Sequence, residues 1–311
     1  MRALQVFHYQ YTHNELYRQY CDALHTNVAA VAELWQIPVL PISFFKTHNV
    51  LCAPVTASDA DLVFESSGTT GTVNSRHYVW DGQVYEDSLL MGFEQYYGHP
   101  GQYAILALLP SYLERANASL VYMAKTLMKI GGHPQSGFYL NEWEKLRDTL
   151  LQLEQQGTKT ILLGVTFALL DLAAAYPMPL RHTIVMETGG MKGRRKEMTR
   201  DEVHEELKAA FGLAHIHSEY GMTELLSQAY APGEGIFRPT ATMQALVRDI
   251  NDPLDVSATG TGALNIIDLA NIHSCAFIAT EDIGSVAADG SFTVLGRMDN
   301  SALRGCSLMA V

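Results

Sequence analysis

The residues of this chain that best suit chemistry lie in a glycine- and hydroxyl-rich run after a short apolar strand. The strand is predicted over residues 62–64, and the run covers 65–76. Glycines let a backbone approach an anion closely, consecutive N–H groups form an anion-binding concavity, and small hydroxyls add donors. The run therefore predicts a phosphate-binding loop, although no Gly-Lys-Ser/Thr follows, as a Walker A loop requires. An ordinary polar loop between a strand and a helix is the alternative.

Three further segments carry residues that suit the same kind of site. A turn after an apolar strand end combines an aromatic ring, a glycine, a hydroxyl and a carboxylate, in the order Tyr220, Gly221, Met222, Thr223 and Glu224. Nearer the C-terminus come Asp282 and then Arg297, with Asp289-Gly290 between them as a hairpin signal. A weaker segment, Glu187-Thr188-Gly189-Gly190, ends the apolar run 183–186.

Single residues of these segments also have purely structural interpretations. Glu224 could be a carboxylate at a helix N-terminus, where the helix dipole favours it. Asp282 could belong to a turn before the hairpin, and Tyr220 could serve packing alone. The occurrence of all the segments in one chain favours a shared site.

The order and character of these motifs resemble the adenylate-forming superfamily of acyl-CoA synthetases, phenylacetate-CoA ligases and acyl-protein synthetases. The resemblance runs from about residue 60 to the end of the chain. It implies the α/β core of those enzymes, with ATP and Mg²⁺ as cofactors and a small carboxylic acid as substrate. Such enzymes set a carboxylate against the α-phosphate of ATP, so they must shield two anions that repel each other.

The resemblance also implies roles for single residues. Tyr220 would pack against the adenine, Thr223 would contact the α-phosphate, and Glu224 would bind Mg²⁺ as a hard oxygen ligand. Asp282 would accept hydrogen bonds from the ribose, with Arg297 supporting the same region. The remaining nucleotide-binding positions are Ser66, Ser67, Gly68, Thr69, Thr70 and Gly71 for the phosphates, Thr188, Gly189 and Gly190 beside the adenine, and Gly221 and Met222 in the turn.

The chain departs from the superfamily pattern at two places. Most relatives carry a lysine shortly after the glycines, whereas here the nearest cation is Arg76, a competent phosphate partner. Relatives that make CoA thioesters also carry a C-terminal lid domain of about a hundred residues, a typical small-domain size. Only fourteen residues follow Arg297, so we expect neither the lid nor its lysine.

The chain ends instead with a cysteine, Cys306, near Arg304. This ending resembles that of the LuxE-type acyl-protein synthetases, which place an acyl-accepting cysteine near the C-terminus. A thiolate is a strong nucleophile, and a nearby cation favours it over the thiol. Cys306 is therefore expected to be catalytic, together with Thr223 and Glu224. A buried, inert thiol is the alternative.

Composition narrows the class of partner. The 33 acidic and 21 basic residues give a net charge of −12, which argues against nucleic acid or an anionic membrane as the main partner. Four cysteines without a Cys-x-x-Cys motif indicate reduced thiols, and no signal peptide or membrane-spanning stretch is evident, so a cytoplasmic location is expected. His215 and His217 alone suggest a metal pair, and the sequence offers them no third ligand.

The pattern of elements predicts an α/β fold. Helices are predicted over 14–35, 83–97, 118–130, 141–156 and 199–211, the last with a capping box formed by Thr199 and Glu202. Strands are predicted over 103–109, 160–165 and 183–186, so a parallel sheet with helices on both faces is expected. Short β-rich pieces follow, including 243–248 and 263–268. The predicted division is a core of residues 1–230 and a smaller β-rich subdomain of residues 231–311.

These observations together predict an enzyme that forms an acyl-AMP from ATP and a carboxylic acid, which the resemblance suggests is a fatty acid. The acyl group would pass to Cys306 and then to a partner such as a reductase or an acyl carrier. One alternative is an acyl-CoA or aryl-CoA ligase in which Cys306 is inert. Another is a non-catalytic nucleotide-binding protein. The apolar segment 164–170 could line an acyl pocket or belong to the core.

Overall fold

The computed structural model describes residues 2–66, 74–110, 117–140, 142–189 and 198–298. Within these ranges the helices and the strands alternate through the middle of the chain. The helices are α1 (Arg2–His13), α2 (Glu15–Ala23), α3 (Phe44–Thr47), α4 (Gly82–Tyr97), α5 (Ser119–Gly131), α6 (Trp143–Gln156), α7 (Thr166–Ala175) and α8 (Arg200–Phe211). The strands are β1 (Leu40–Pro41), β2 (Leu62–Glu65), β3 (Arg76–Val79), β4 (Ala104–Leu108), β5 (Gly137–Phe138), β6 (Thr160–Val165), β7 (Thr183–Thr188), β8 (His217–Tyr220), β9 (Ala229–Ala231), β10 (Arg238–Pro239), β11 (Met243–Arg248), β12 (Val256–Ser257), β13 (Gly260–Asp268), β14 (Phe277–Val286) and β15 (Phe292–Arg297).

The first sheet has the strand order β10-β9-β8-β7-β6-β4-β5. Strands β5, β4, β6, β7 and β8 pair in parallel, and β9 and β10 continue the sheet antiparallel at one edge. Every residue of β4 and β6 is buried, which explains their continuous apolar runs, since parallel strands are covered on both faces. The predicted α/β class is confirmed.

The second sheet is largely antiparallel and has the order β1-β14-β13-β11-β12, with β15 also paired to β14. It contains the β-rich pieces expected after residue 224. The predicted hairpin is present as β14 and β15, and Gly290 adopts a φ of 81° in the turn between them. A left-handed conformation of this kind is one that glycine adopts without steric cost.

The helices differ from prediction near the N-terminus. The predicted helix over 14–35 is wrong beyond Ala23, because His25 adopts a left-handed φ of 53° and only single 3-10 turns follow. Asn14 caps α2, its side chain accepting a hydrogen bond from the Tyr17 amide, and separates α2 from α1, which was not predicted. Helix α7 was also missed, since it is buried on nearly all sides and lacks an amphipathic period.

The capping box of α8 is confirmed. The Thr199 hydroxyl accepts a hydrogen bond from the Glu202 amide at 3.3 Å, and the Glu202 carboxylate accepts one from the Thr199 amide at 2.7 Å. This reciprocal pair satisfies two amides that lack partners within the helix. In the first turn of α8, Arg200 donates a hydrogen bond to Glu187 near the end of β7 at 3.1 Å.

The N-terminal segment packs against the second sheet. Strand β1 pairs in parallel with β14, Leu40 opposite Ile278. Phe7 is fully buried, with ring centroids 6.2 Å from both Tyr17 and Phe277. The division near residue 230 stays a prediction, but residues from both sides of that position build this sheet and its core.

Replacing Phe7 tests whether α1 is part of this core. Phe7→Ala should lower the free energy of unfolding by about 3 to 5 kcal/mol, because a buried aromatic ring is removed and a cavity remains. Urea unfolding followed by circular dichroism measures the change. Gln5→Ala, at an exposed position of the same helix, is the matched control. Equal, small effects of both substitutions would show that α1 does not contribute to the folded core.

Candidate active site

The candidate site lies where neighbouring parallel strands of the first sheet end. Thr188 at the end of β7 is opposite Glu219 near the end of β8. The segments that begin at Glu187 and Tyr220 therefore leave the sheet on the same side, at the carboxyl ends of the parallel strands. Crevices beyond the carboxyl ends of strands are the usual ligand sites of open α/β sheets.

Tyr220 connects this edge to the second sheet. Its hydroxyl donates a hydrogen bond to Asp282 Oδ2 at 2.8 Å, and Arg297 Nε donates to Asp282 Oδ1 at 3.2 Å. Burial raises the pKa of Tyr220 well above its ordinary value, so the hydroxyl stays protonated and able to donate. Asp282 and Arg297 are direct partners across β14 and β15, which contradicts the interpretation of Asp282 as a turn residue.

The ring of Tyr220 lies in an aromatic cluster. Its centroid is 5.7 Å from that of Phe237 and 5.2 Å from that of Phe292. The side chain is 7% exposed, so protein groups cover most of it. Packing is thus one of its roles, and contact with an adenine stays a prediction.

The turn at Thr223 and Glu224 is held through its backbone carbonyl groups. His77 Nδ1 lies 2.9 Å from the Thr223 oxygen, and His77 Nε2 lies 2.9 Å from Asn271 Oδ1. The Asn271 amide group donates to the Glu224 oxygen at 2.8 Å. Burial lowers the pKa of His77 to about 4, and a neutral imidazole carries one N–H, so it donates to one of these two oxygens. Neither His77 nor Asn271 was predicted, since each lies outside the recognisable motifs.

Glu224 is buried, with 5% of the residue exposed. Burial raises its pKa, while Ser75, Arg297 and Lys46 act in the opposite direction. No helix begins at Glu224, so the helix N-terminus interpretation is wrong. The carboxyl group is therefore buried, and the rise in its pKa is partly offset by three groups that come from other segments of the chain.

Two buried glutamates lie beneath this edge of the sheet. Glu187 accepts hydrogen bonds from Ser218 at 2.8 Å and Arg200 at 3.1 Å. Burial alone raises the pKa of Glu187, but His204, Arg200 and Ser218 outweigh burial and lower it. For Glu219, burial dominates and raises the pKa to about 7, although the Thr188 hydroxyl donates to it at 2.5 Å. The pKa values of these two neighbouring carboxyl groups are thus shifted in opposite directions.

The position of the Glu219 carboxyl group explains why residue 221 is a glycine. A Cβ atom at this position would lie 2.5 Å from Glu219 Oε1. A side chain at residue 221 would therefore displace the buried carboxyl group. The sequence had suggested only that Gly221 belongs to a nucleotide-binding turn.

The stem of the glycine-rich run is an antiparallel pair rather than a strand followed by a helix. Glu65 is opposite Arg76 in the pairing of β2 with β3, and Arg76 Nε donates to Glu65 Oε1 at 3.0 Å. Ser66 Oγ accepts a hydrogen bond from the Ser75 amide at 2.8 Å. The run therefore connects two strands and not a strand and a helix, and phosphate binding by the run stays a prediction. The predicted site residues Ser67, Gly68, Thr69, Thr70, Gly71, Gly190 and Cys306 lie outside the described residues.

The remaining candidate groups are the other cysteines and the histidine pair. Cys21, Cys52 and Cys275 are buried, and burial raises the pKa of Cys21 and Cys52 to about 12 and that of Cys275 further. His217 lies 3.1 Å from the Tyr97 hydroxyl, and burial lowers its pKa to about 4. In the described ranges, no three His, Cys, Asp or Glu side chains form a group that could hold a metal ion.

Comparison with known proteins gives a family match for the first part of the chain. The sequence model of the family "Acyl-protein synthetase, LuxE" matches residues 2–79. This segment includes α1 to α3 and the hairpin of β2 and β3. No curated protein matches the chain.

Solved structures with a similar fold include CoA ligases. A 2-hydroxyisobutyryl-CoA ligase, solved with 2-HIB-AMP and CoA, has a TM-score of 0.70 at 14% identity, covering 96% of this chain and 67% of that one. A long-chain-fatty-acid-CoA ligase from Archaeoglobus fulgidus has a TM-score of 0.56 at 15% identity, covering 81% and 54%. Apo MatB from Rhodopseudomonas palustris has a TM-score of 0.56 at 16% identity, covering 80% and 50%.

These likenesses show that the chain has the fold of adenylate-forming enzyme domains. The chain spans between half and two thirds of the length of these three proteins. In the part of the chain that the structure describes, none of the helices combines the length and the apolar character needed to cross a bilayer.

The unusual pKa of Glu219 predicts a pH-dependent stability difference. Between pH 4.5 and 7 the unfolded chain loses the Glu219 proton while the folded chain keeps it, so the contribution of this group to stability falls as pH rises. Glu219→Gln does not titrate, so its free energy of unfolding relative to the native chain should rise by about 2 to 3 kcal/mol from pH 5 to pH 8.

Urea unfolding at several pH values measures this difference, and subtraction removes the effects of other titrating groups. Glu205→Gln, at a position whose side chain is 75% exposed on α8, is the control and should show little trend. A flat difference for Glu219→Gln would show that the Glu219 carboxyl group is already ionised across this range.

Proposed function

We propose that this chain activates a carboxylic acid with ATP to form an acyl-AMP and then transfers the acyl group to Cys306. The observation that carries the proposal is the convergence of Tyr220, Asp282, Arg297 and the turn at Thr223–Glu224 beyond one edge of the parallel sheet. These residues come from separate segments, and the fold is one in which solved relatives are acid ligases. The match to the acyl-protein synthetase family supports the same reaction class.

The nucleotide would lie across the junction of the two sheets. Each oxygen of an ionised carboxylate can accept more than one hydrogen bond, so Asp282 retains capacity for ribose hydroxyls while it binds Tyr220 and Arg297. The adenine would lie beside Thr188 and Gly189. The phosphates would extend toward Thr223 and toward the glycine-rich run, which begins near Ser66 and ends near Arg76.

The residues present fit a magnesium ion that arrives with the nucleotide. Mg²⁺ usually keeps several waters and binds proteins through one or two carboxylates together with substrate phosphates. Glu224 supplies one such sheltered carboxyl group, and Arg297 and Lys46 favour its ionised form. When bound, the ion would neutralise charge on the phosphates during displacement.

The proposed reaction has two group transfers. A carboxylate oxygen of the acid attacks the α-phosphorus, a P–O bond forms, and the bond to the leaving pyrophosphate breaks with its electron pair. The thiolate of Cys306 then attacks the acyl carbon, a C–S bond forms, and AMP leaves with the electrons of the C–O bond. Glu224 and Thr223 would orient the phosphate groups in the first transfer.

The acceptor is assigned to Cys306 partly by the state of the other thiols. The three cysteines of the described ranges are buried, and their raised pKa values keep them as unreactive thiols at pH 7. From the cysteine the acyl group would pass to a partner such as a reductase or an acyl carrier. A fatty acid is the favoured substrate because of the LuxE match, and an aryl acid is the alternative.

A CoA ligase is the second candidate function. It is favoured by the fold likeness to a ligase that was solved with CoA. In that case CoA, rather than Cys306, would take the acyl group from the acyl-AMP. A nucleotide-binding protein without catalysis is the third candidate and would release no pyrophosphate.

Removing the charge of Glu224 tests the first transfer. Glu224→Gln keeps the shape of the side chain but not its metal-binding charge, so acid-dependent pyrophosphate release should fall by at least about 100-fold, the scale of losing one group that stabilises transition-state charge. A coupled pyrophosphate assay measures the rate, with Glu205→Gln as the control. Unchanged release in Glu224→Gln would remove Glu224 from the proposed site.

Replacing the cysteine tests the second transfer. Cys306→Ser should still release pyrophosphate, but intact-protein mass spectrometry after incubation with MgATP and a mixture of fatty and aryl acids should show no thioester adduct. The native chain should carry an acyl mass that maps to Cys306 and is removed by hydroxylamine, and Cys21→Ser should behave like the native chain. Pyrophosphate release without any adduct on the native chain would favour the CoA ligase, and no release would favour the non-catalytic protein.

A further inference from the structure

A surface pocket lies beside the stem of the glycine-rich run, on the side of α3. Its volume is about 430 Å³, and its wall is shared between α3 with the residues after it and the two strands of the β2–β3 hairpin. The polar groups that line it include Lys46, His48, Asn49, Asn74 and Arg76. Pockets of a few hundred Å³ are large enough for small ligands.

The pocket is cationic in a chain that is acidic as a whole. Lys46 and Arg76 contribute positive charge, and Glu65 is the one acidic residue among the described residues of the lining. Arg76 is paired with Glu65 through Nε at 3.0 Å. Among the described residues, Lys46 is exposed, has no ion pair and donates no side-chain hydrogen bond, so its ammonium group is available to a ligand. Two cations and one carboxylate give the described lining a positive balance, in a chain whose net charge is −12, and this favours an anionic ligand.

The pocket is connected to the candidate active site through its inner wall. The ring of Phe45 lies 5.5 Å from that of His77, and His77 contacts the Thr223 carbonyl oxygen at 2.9 Å. Ser75 lies between two lining residues, Asn74 and Arg76, and influences Glu224. The pocket and the turn that carries Glu224 are therefore joined through the contacts of Phe45 and His77.

We propose that this pocket binds the pyrophosphate part of ATP, with Lys46 as a direct phosphate ligand supplied by the N-terminal segment. The inference rests on the proposed function and adds a residue that the motifs did not include. As the bond from the α-phosphorus to the leaving oxygen breaks, its electron pair stays on the pyrophosphate. The ammonium group of Lys46 and the guanidinium group of Arg76 stabilise that growing negative charge.

The glycine-rich run contains no lysine, and this assignment supplies one from another segment of the chain. Arg76 already donates to Glu65, so part of its donor set is committed. Lys46 reaches the same pocket from a different element as a compact charge with three donors. His48 also lines the pocket, and its Nδ1 lies 2.8 Å from the Thr47 hydroxyl oxygen.

Calorimetric titration of the full chain with inorganic pyrophosphate tests the inference directly. The native chain should bind pyrophosphate in competition with ATP but not with AMP, because AMP leaves the pocket empty. Lys46→Met should weaken pyrophosphate and ATP binding by at least about tenfold, as expected for the loss of a charged hydrogen bond, and should leave AMP binding unchanged. Lys46→Arg should retain most of the binding. Lys159→Gln is the control, because it removes a cation at the amino end of β6, whereas the candidate site lies at the carboxyl ends of the strands.

The inference would be overturned by no binding of pyrophosphate by the native chain, by binding unchanged in Lys46→Met, or by binding that ATP does not compete away. The last result would identify a separate phosphate site. Equal loss of AMP and pyrophosphate binding in Lys46→Met would also overturn it, because the effect would then be on the whole site. Loss of pyrophosphate binding in Lys46→Met, together with no acid-dependent pyrophosphate release by the native chain, would support the pocket and reject the proposed reaction.

Discussion

The candidate site depends on the hydrogen bonds of one buried side chain, Asn271. Its amide oxygen faces His77 at 2.9 Å, and its amide nitrogen donates to the Glu224 carbonyl oxygen at 2.8 Å. Its backbone oxygen accepts a hydrogen bond from Gln10 at 2.9 Å. A buried polar group left without a partner costs about 1 to 3 kcal/mol, so the positions of these groups are mutually constrained. One residue thus links the N-terminal helix, the hairpin after the glycine-rich run and the turn that carries Glu224.

This link explains why the N-terminal segment is structurally part of the site although it contains none of the nucleotide motifs. Gln10 is fully buried, and it also accepts a hydrogen bond from the Ala276 amide at 2.9 Å. Helix α1 therefore holds residues 271–276 as a unit while Phe7 packs on Phe277. The proposed pyrophosphate pocket uses the same segment, since α3 forms part of its wall. The segment that matches the acyl-protein synthetase family thus supports the turn and lines the pocket.

Electrostatics beneath the sheet edge follow from how much compensation each carboxyl group receives. Glu187 and Glu219 are both buried, but only Glu187 is surrounded by a guanidinium group, an imidazole and a hydroxyl. Glu219 has one hydroxyl donor and the neighbouring Glu187 charge, so its pKa rises to about 7. Two carboxyl groups with pKa values shifted in opposite directions thus lie on adjacent strands, and that of Glu219 occupies the space that Gly221 leaves open. The shape of the turn after Tyr220 therefore depends on a carboxyl group in the strand that precedes it.

Local patterns were sufficient for the elements whose stability arises from neighbouring residues. The apolar runs of β4, β6 and β7, the capping box at Thr199 and the hairpin at Asp289-Gly290 were all predicted, because burial period, helix capping and turn chemistry are properties of short segments. The order of the motifs also indicated the fold. The sequence did not reveal helix α1, the end of α2 at His25, or helix α7, whose apolar residues surround it on all sides.

The tertiary structure alone decided which polar residues surround the motif turn. Asn271, His77 and Gln10 belong to no motif, and the bonds between them join residues 194 and 261 positions apart in the chain. It likewise decided that Glu219 is raised and Glu187 lowered in pKa, since both shifts arise from burial and from partners on other strands. The sequence determined the fold and named Tyr220, Glu224 and Asp282 through local pattern and resemblance. The electrostatic environment and the hydrogen bonds of these residues could be read only from the folded chain, because they depend on distances between residues that are far apart in sequence.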